Sequence, residues 1–209
     1  MKTPYTRKQE LIHGLIHGIG VLFGVIGLPV LTGLATSHQN MPGIIGAGIY
    51  GFCFLLLFTS SMVYHLLENE PVKKLFEIFD HISIYFLISG TYTPFVLVYV
   101  NNSFGISLLV SLWGLTLFGI FFKIRFTGRF NGLSTLIYII MGCALAAGGN
   151  RFFADLPFAV VVMILIGAGI YLVGVVVYVW GGRTYTHALW HALVLSAAIC
   201  HYVAVLMVM

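Results

Sequence analysis

Charge is scarce in this sequence. Only 8% of its 209 residues are charged, 6 acidic and 10 basic, where a soluble domain carries about a quarter. That shortage argues against a water-soluble enzyme. The net charge of +4 and pI near 9.0 therefore read as topology signals, not as a nucleic-acid-binding surface. Cysteine is also scarce. Cys53, Cys143 and Cys200 stand alone in apolar runs with no C-x-x-C spacing, which argues against a disulfide framework and against thiolate ligands. The short alternating segments of a transmembrane β-barrel are missing, as are internal repeats and low-complexity tracts.

What is present is apolar. The chain is 60% hydrophobic, with a mean hydropathy of +1.03. At roughly 20 residues per helical span, its runs fit seven transmembrane helices in one domain over residues 1–209, at about 11–35, 43–67, 78–100, 104–122, 132–149, 157–180 and 185–209. The first run is too long for a signal-peptide core and is expected to be retained. The stretch ENEPVKKLFE reads as a surface loop, and Gly90 with Pro94 as a kink or early end in span three. Glycines such as Gly14, Gly18, Gly20, Gly167, Gly169 and Gly174 read as close helix packing.

Basic residues set the expected orientation. Lys2, Arg7, Lys8, Lys73, Lys74, Lys123, Arg125, Arg129 and Arg183 fall on one side, and only Arg151 on the other. Nine against one predicts a cytoplasmic N-terminus and, after seven spans, a C-terminus outside.

Histidines inside spans are the chemical signal, because ionisable groups in a bilayer are costly and face a protein interior. His187 and His191 are four residues apart, stacking two imidazoles on one helix face about 6 Å apart along the axis. Counting depth from the loops puts His65, near the end of span two, in the same layer. Asp80 and His81, expected in the first turn of span three, share that layer. Three imidazoles with one open position make a catalytic-type zinc shell, able to lower the pKa of a water to about 7. Asp80 would orient that water or act as its base. Ser61, one turn from His65 on the same face, would hold an imidazole or a substrate carbonyl. His13 and His17, with Glu10 one turn earlier, either support these ligands or form a competing half-site. His81 points about 100° away from Asp80 around the helix, which favours hydrogen bonding over coordination. His201 reads as a packed histidine between helices, and His38 as a solvated loop residue. Thr91, Tyr92 and Thr93 are expected to satisfy backbone groups freed near Pro94.

The elements Ser61-Met-Val-Tyr-His65, FDHISIYFLISGTYTPF over Phe79 to Phe95 and THALWHALVLSAAICHYVAV over Thr186 to Val205 together resemble the hemolysin III family. This is the bacterial branch of the progestin and adipoQ receptor (PAQR) membrane proteins. Glu10 followed by His17-Gly-Ile-Gly resembles the family's first-helix signature. The resemblance covers essentially the whole chain. It implies a seven-helix, multi-pass protein of the cell membrane, in the bacterial inner membrane, with Zn2+ near the cytoplasmic face. It also implies His65, His187 and His191 as ligands, Asp80 contacting the metal-bound water and Ser61 nearby. PAQR proteins are grouped with alkaline ceramidases in a proposed superfamily of membrane hydrolases. Bacterial members are named for haemolysis and linked to membrane lipid homeostasis.

Three functions follow. The first is a zinc-dependent hydrolase of a lipid amide or ester, with a membrane lipid as partner and Asp80 as base. The second is a sensor or membrane-homeostasis protein in which zinc only ties span two to span seven. The third is a channel or cytolysin, which the lack of a polar stripe through the full membrane depth disfavours.

Overall fold

The structure is a computed structural model that describes residues 5–181 and 185–209. Lys2 and Arg183 of the charge balance lie outside the described residues. All the secondary-structure elements among the described residues are helices, in the order α1 Arg7–Ser37, α2 Met41–Leu66, α3 Glu70–Val98, α4 Ser103–Phe126, α5 Asn131–Gly142, α6 Ala144–Gly148, α7 Asn150–Phe153, α8 Phe158–Trp180 and α9 Thr186–Leu206. Six of them, α1 to α4, α8 and α9, are long and apolar enough to cross a membrane.

Local chemistry sets the helix starts. Thr6 accepts from the Gln9 amide and the Gln9 side chain reaches back to Thr6, a reciprocal capping box. Asn40, Asn69 and Asn102 cap α2, α3 and α4 through their side-chain oxygens. Proline follows the cap in both α2 and α3, where its missing N–H costs nothing. This explains one departure from expectation. Glu70 to Glu77 is not a loop but the first two turns of α3, so Asp80 lies well inside that helix and not in its first turn.

Two other expectations change. Pro94 does not end α3, which runs on to Val98. Thr91 and Thr93 donate back to the Leu87 and Ser89 carbonyls at 2.7 and 2.9 Å, while Tyr92 serves a different helix. Its hydroxyl donates to the Met141 and Gly142 carbonyls, both at 2.9 Å, and accepts from the Leu145 amide at 3.1 Å. The fifth apolar run is broken there into α5 and α6. Tyr92 supplies the partners that the break takes from the backbone, which buried peptide groups require.

Helix α1 packs on α2 and α9, α2 on α3, α3 on α4, and α8 on α9, with α5 bridging α3 and α8. Small residues permit the closest approaches. A Cβ on Gly20 would run into the Phe58 ring, and one on Gly167 into His201. Gly169, by contrast, faces open space. His201 bonds the Ile164 carbonyl at 3.2 Å, as a packed interhelical histidine should. His38 is exposed, but its Nδ1 also meets the Met209 carbonyl at 3.1 Å.

Candidate metal centre

Three helices, α1, α2 and α9, converge near the start of α1. His13 comes from α1, His65 from the last turn of α2, and His187 and His191 from the first two turns of α9. One ring nitrogen from each lies within 4.8 Å of the others. The sequence grouped His65, His187 and His191, and packing adds His13.

The orientation of two of these rings is fixed from behind. His65 Nδ1 bonds Glu10 Oε2 at 2.6 Å. Glu10 Oε1 in turn accepts from Lys73 Nζ at 3.0 Å, and Lys73 also donates to the Leu67 carbonyl at 3.4 Å. A carboxylate acceptor places the His65 proton on Nδ1 and frees Nε2. On the other side, His191 Nδ1 bonds His17 Nε2 at 2.8 Å, which again frees Nε2. His65 Nε2 and His191 Nε2 are both buried without a hydrogen-bond partner, as are both ring nitrogens of His13. Buried polar atoms are nearly always satisfied, so several orphaned imidazole nitrogens converging on one point fit a metal ion, which accepts lone pairs and needs no proton. Carboxylate–histidine pairs of this kind are a recurring support for metal ligands. Tyr5, just before α1, stacks on His187 with ring centroids 4.8 Å apart and meets His13 edge-on at 5.0 Å. Burial, with Tyr178 and Glu10 adding to it, holds the Tyr5 hydroxyl above the ordinary phenol value.

The cluster borders a cavity of about 350 Å³. His65, His187 and His191 line it, with Ser61 and Asp80, but His13 does not. Ser61 Oγ is fully buried with no partner. Asp80 is half-buried, and its backbone carbonyl accepts from Ser83 Oγ at 2.7 Å. His81 also lines the cavity, and its Nδ1 meets the Glu77 carbonyl at 2.8 Å, the hydrogen-bonding role expected of it. The sequence left His13 undecided because its side of α1 is set by tertiary packing. The Glu10–Lys73 pair was not anticipated, although both lie within a turn of a helix start that capping residues mark.

These features define a multi-pass helical membrane protein with a buried histidine cluster able to hold a metal ion. Residues 5–202 match the haemolysin-III related family, and the chain belongs to that family. It is 37% identical to a protein of Bacillus subtilis (strain 168) named hemolysin-3 homolog, over 97% of this chain and 95% of that one. It is 35% identical to hemolysin-3 of Bacillus cereus, over 95% of this chain and 91% of that one. Identity to the human monocyte to macrophage differentiation factor is 25%, over 85% of this chain and 77% of that one. No solved structure matches the chain.

Proposed function

We propose that this protein is a zinc-dependent membrane hydrolase of a lipid amide or ester, with its site toward the cytoplasmic face. One observation carries the reading. His65, His187 and His191 border the cavity together with Ser61 and Asp80, whereas His13 lies off it. A metal held by those three would have its remaining side turned to a space that a substrate can occupy. A bound zinc ion supplies Lewis-acid polarisation and water activation. The chain supplies the rest. Asp80 takes a proton from the attacking water on a carboxylate oxygen and returns it to the leaving nitrogen or oxygen. Ser61 Oγ, unpartnered, donates to the substrate carbonyl. Glu10 and His17 keep the His65 and His191 rings turned the right way. The nine-to-one distribution of basic residues supports a cytoplasmic N-terminus, and with it the inner-leaflet depth.

The test measures metal content and lipid-amide turnover together, on detergent-purified wild type, Asp80→Asn, His65→Ala and His191→Ala, against ceramides and other lipid amides and esters. Metal retained with turnover lost in Asp80→Asn is the expected result. A second reading, a metal that only ties α1, α2 and α9 together, has its own support in His13, which is fully buried with both nitrogens free and would complete a closed four-histidine shell. In that case no form turns over, and the histidine variants lose metal and melting temperature together. A wild type that binds no metal sinks both readings.

A further inference from the structure

Among the described residues two lysines are buried, one in an ion pair and one with no carboxylate at ion-pairing distance. Lys73 is paired with Glu10 and lies 5.0 Å from the Tyr64 ring centroid. Lys123, in the last turn of α4, is only 1% exposed. No carboxylate oxygen of the described residues lies within 4.0 Å of its ammonium, and the ammonium makes no hydrogen bond to a described residue. The hydrogen bond that Lys123 does make is through its backbone carbonyl, to the Thr127 hydroxyl. A lysine in a membrane protein ordinarily extends to water or pairs with an anion, since an enclosed charge without a partner is costly.

Lys123 lines the same cavity as the histidines. The polar residues of α3 and α5 that line this cavity include Glu77, Asp80 and His81 and Asn131, Ser134, Thr135 and Tyr138. The clustered histidines enter from α1, α2 and α9, whereas Lys123 enters from α4. The walls also carry Leu57, Leu87, Ile88, Leu172, Val175 and Val194, which suit hydrocarbon. The volume of about 350 Å³ lies in the range of small-molecule sites.

We propose that Lys123 binds the anionic group, phosphate or carboxylate, of a lipid whose hydrocarbon lies along this cavity. The inference rests on the lipid-hydrolase reading and narrows its substrate from lipid amides and esters in general to anionic ones. Glu77 and Asp80 line the same cavity, so the anion must seat on Lys123 and away from α3.

The test is binding, which turnover does not enter. Hexadecyl phosphate, palmitate, hexadecanol and inorganic phosphate are titrated into full-length protein in nanodiscs, first metal-loaded and then metal-stripped so that the metal cannot hold the anion. In both forms hexadecyl phosphate and palmitate are expected to bind about tenfold or more tighter than hexadecanol, as hydrogen bonds to a charged group warrant. That preference disappears in Lys123→Met and Lys123→Gln and persists in Lys123→Arg. Equal binding of hexadecanol overturns the proposal, as does a preference that survives both neutral variants. Inorganic phosphate binding as tightly as hexadecyl phosphate would assign Lys123 to a free anion and overturn the lipid. A wild type that shows this preference but turns over no lipid amide or ester would fault the hydrolase reading alone.

Discussion

Replacing Glu10 by glutamine tests whether the histidine cluster is a metal centre or a polar core. The carboxylate bridges His65 Nδ1 at 2.6 Å and Lys73 Nζ at 3.0 Å, and the residue is 4% exposed. Glutamine preserves the volume but changes two things. Its amide N–H₂ can donate to His65 Nδ1, which moves the imidazole proton to Nε2, the nitrogen that should face the metal. It also leaves the Lys73 ammonium with neutral acceptors only. Loss of such a supporting carboxylate typically weakens metal binding about 10- to 100-fold, or about 1.4 to 2.7 kcal/mol. Breaking a buried ion pair by removing one partner costs about 3–5 kcal/mol of folding stability at most, and the glutamine oxygen recovers part of it. The two effects separate through Lys73→Met, which removes the ammonium but leaves the Glu10–His65 bond. Competition against a chromophoric zinc chelator on purified protein should show Glu10→Gln weakened at least tenfold and Lys73→Met near wild type. Thermal melts should show both destabilised, and the double variant less so than Glu10→Gln alone. Wild-type zinc affinity in Glu10→Gln would refute the idea that this carboxylate orients a ligand.

His17→Ala removes the 2.8 Å partner of His191 Nδ1 and is expected to weaken zinc binding about tenfold in the same titration. His13→Ala should lower metal affinity but keep turnover at saturating zinc, because His13 does not border the cavity; turnover abolished at full occupancy would contradict this. Tyr92→Phe strips the hydroxyl from the Met141 and Gly142 carbonyls and the Leu145 amide, and should cost about 1–3 kcal/mol in reversible denaturation, with metal content unchanged. Gly20→Val forces side-chain atoms into the Phe58 ring. It should destabilise by about 1–3 kcal/mol as overpacking does, whereas Gly169→Val, facing open space, should be close to neutral in the same assay.

How far each feature could be read from the sequence follows from how local its cause is. His187 and His191 were legible because helical spacing alone puts them on one face. His65 joined them by depth, which run lengths determine. His13 was not assignable, because which side of α1 meets α2 and α9 depends on contacts such as that of Gly20 with Phe58. At the start of α3 the charges point one way and the capping residues the other. Glu70, Lys73 and Glu77 suggested surface, yet Asn69 and Pro71 form a local cap-and-proline signature, and Lys73 is neutralised by a carboxylate 63 residues away. The break in the fifth run depends on Tyr92, about fifty residues earlier in sequence. No local pattern announces that bond.

The four histidines are not equivalent, and the difference bears on catalysis. His65 and His191 are each held at Nδ1, by Glu10 and His17, so their Nε2 atoms are aimed before any ion arrives. His187 is held by ring packing, against Tyr5 at 4.8 Å and His191 at 4.4 Å. His13 has neither nitrogen bonded. Partners on Nδ1 set the tautomer and ring orientation of His65 and His191 in advance, so those two do not depend on a fourth ligand for their aim. Of the four, His65, His187 and His191 border the cavity and His13 does not, so a position left open toward the cavity would be the one that His13 does not need to fill. Under the proposed hydrolase reading His13 is the ligand the site can work without, whereas a structural tie needs all four. That difference makes His13 the position at which the two readings part.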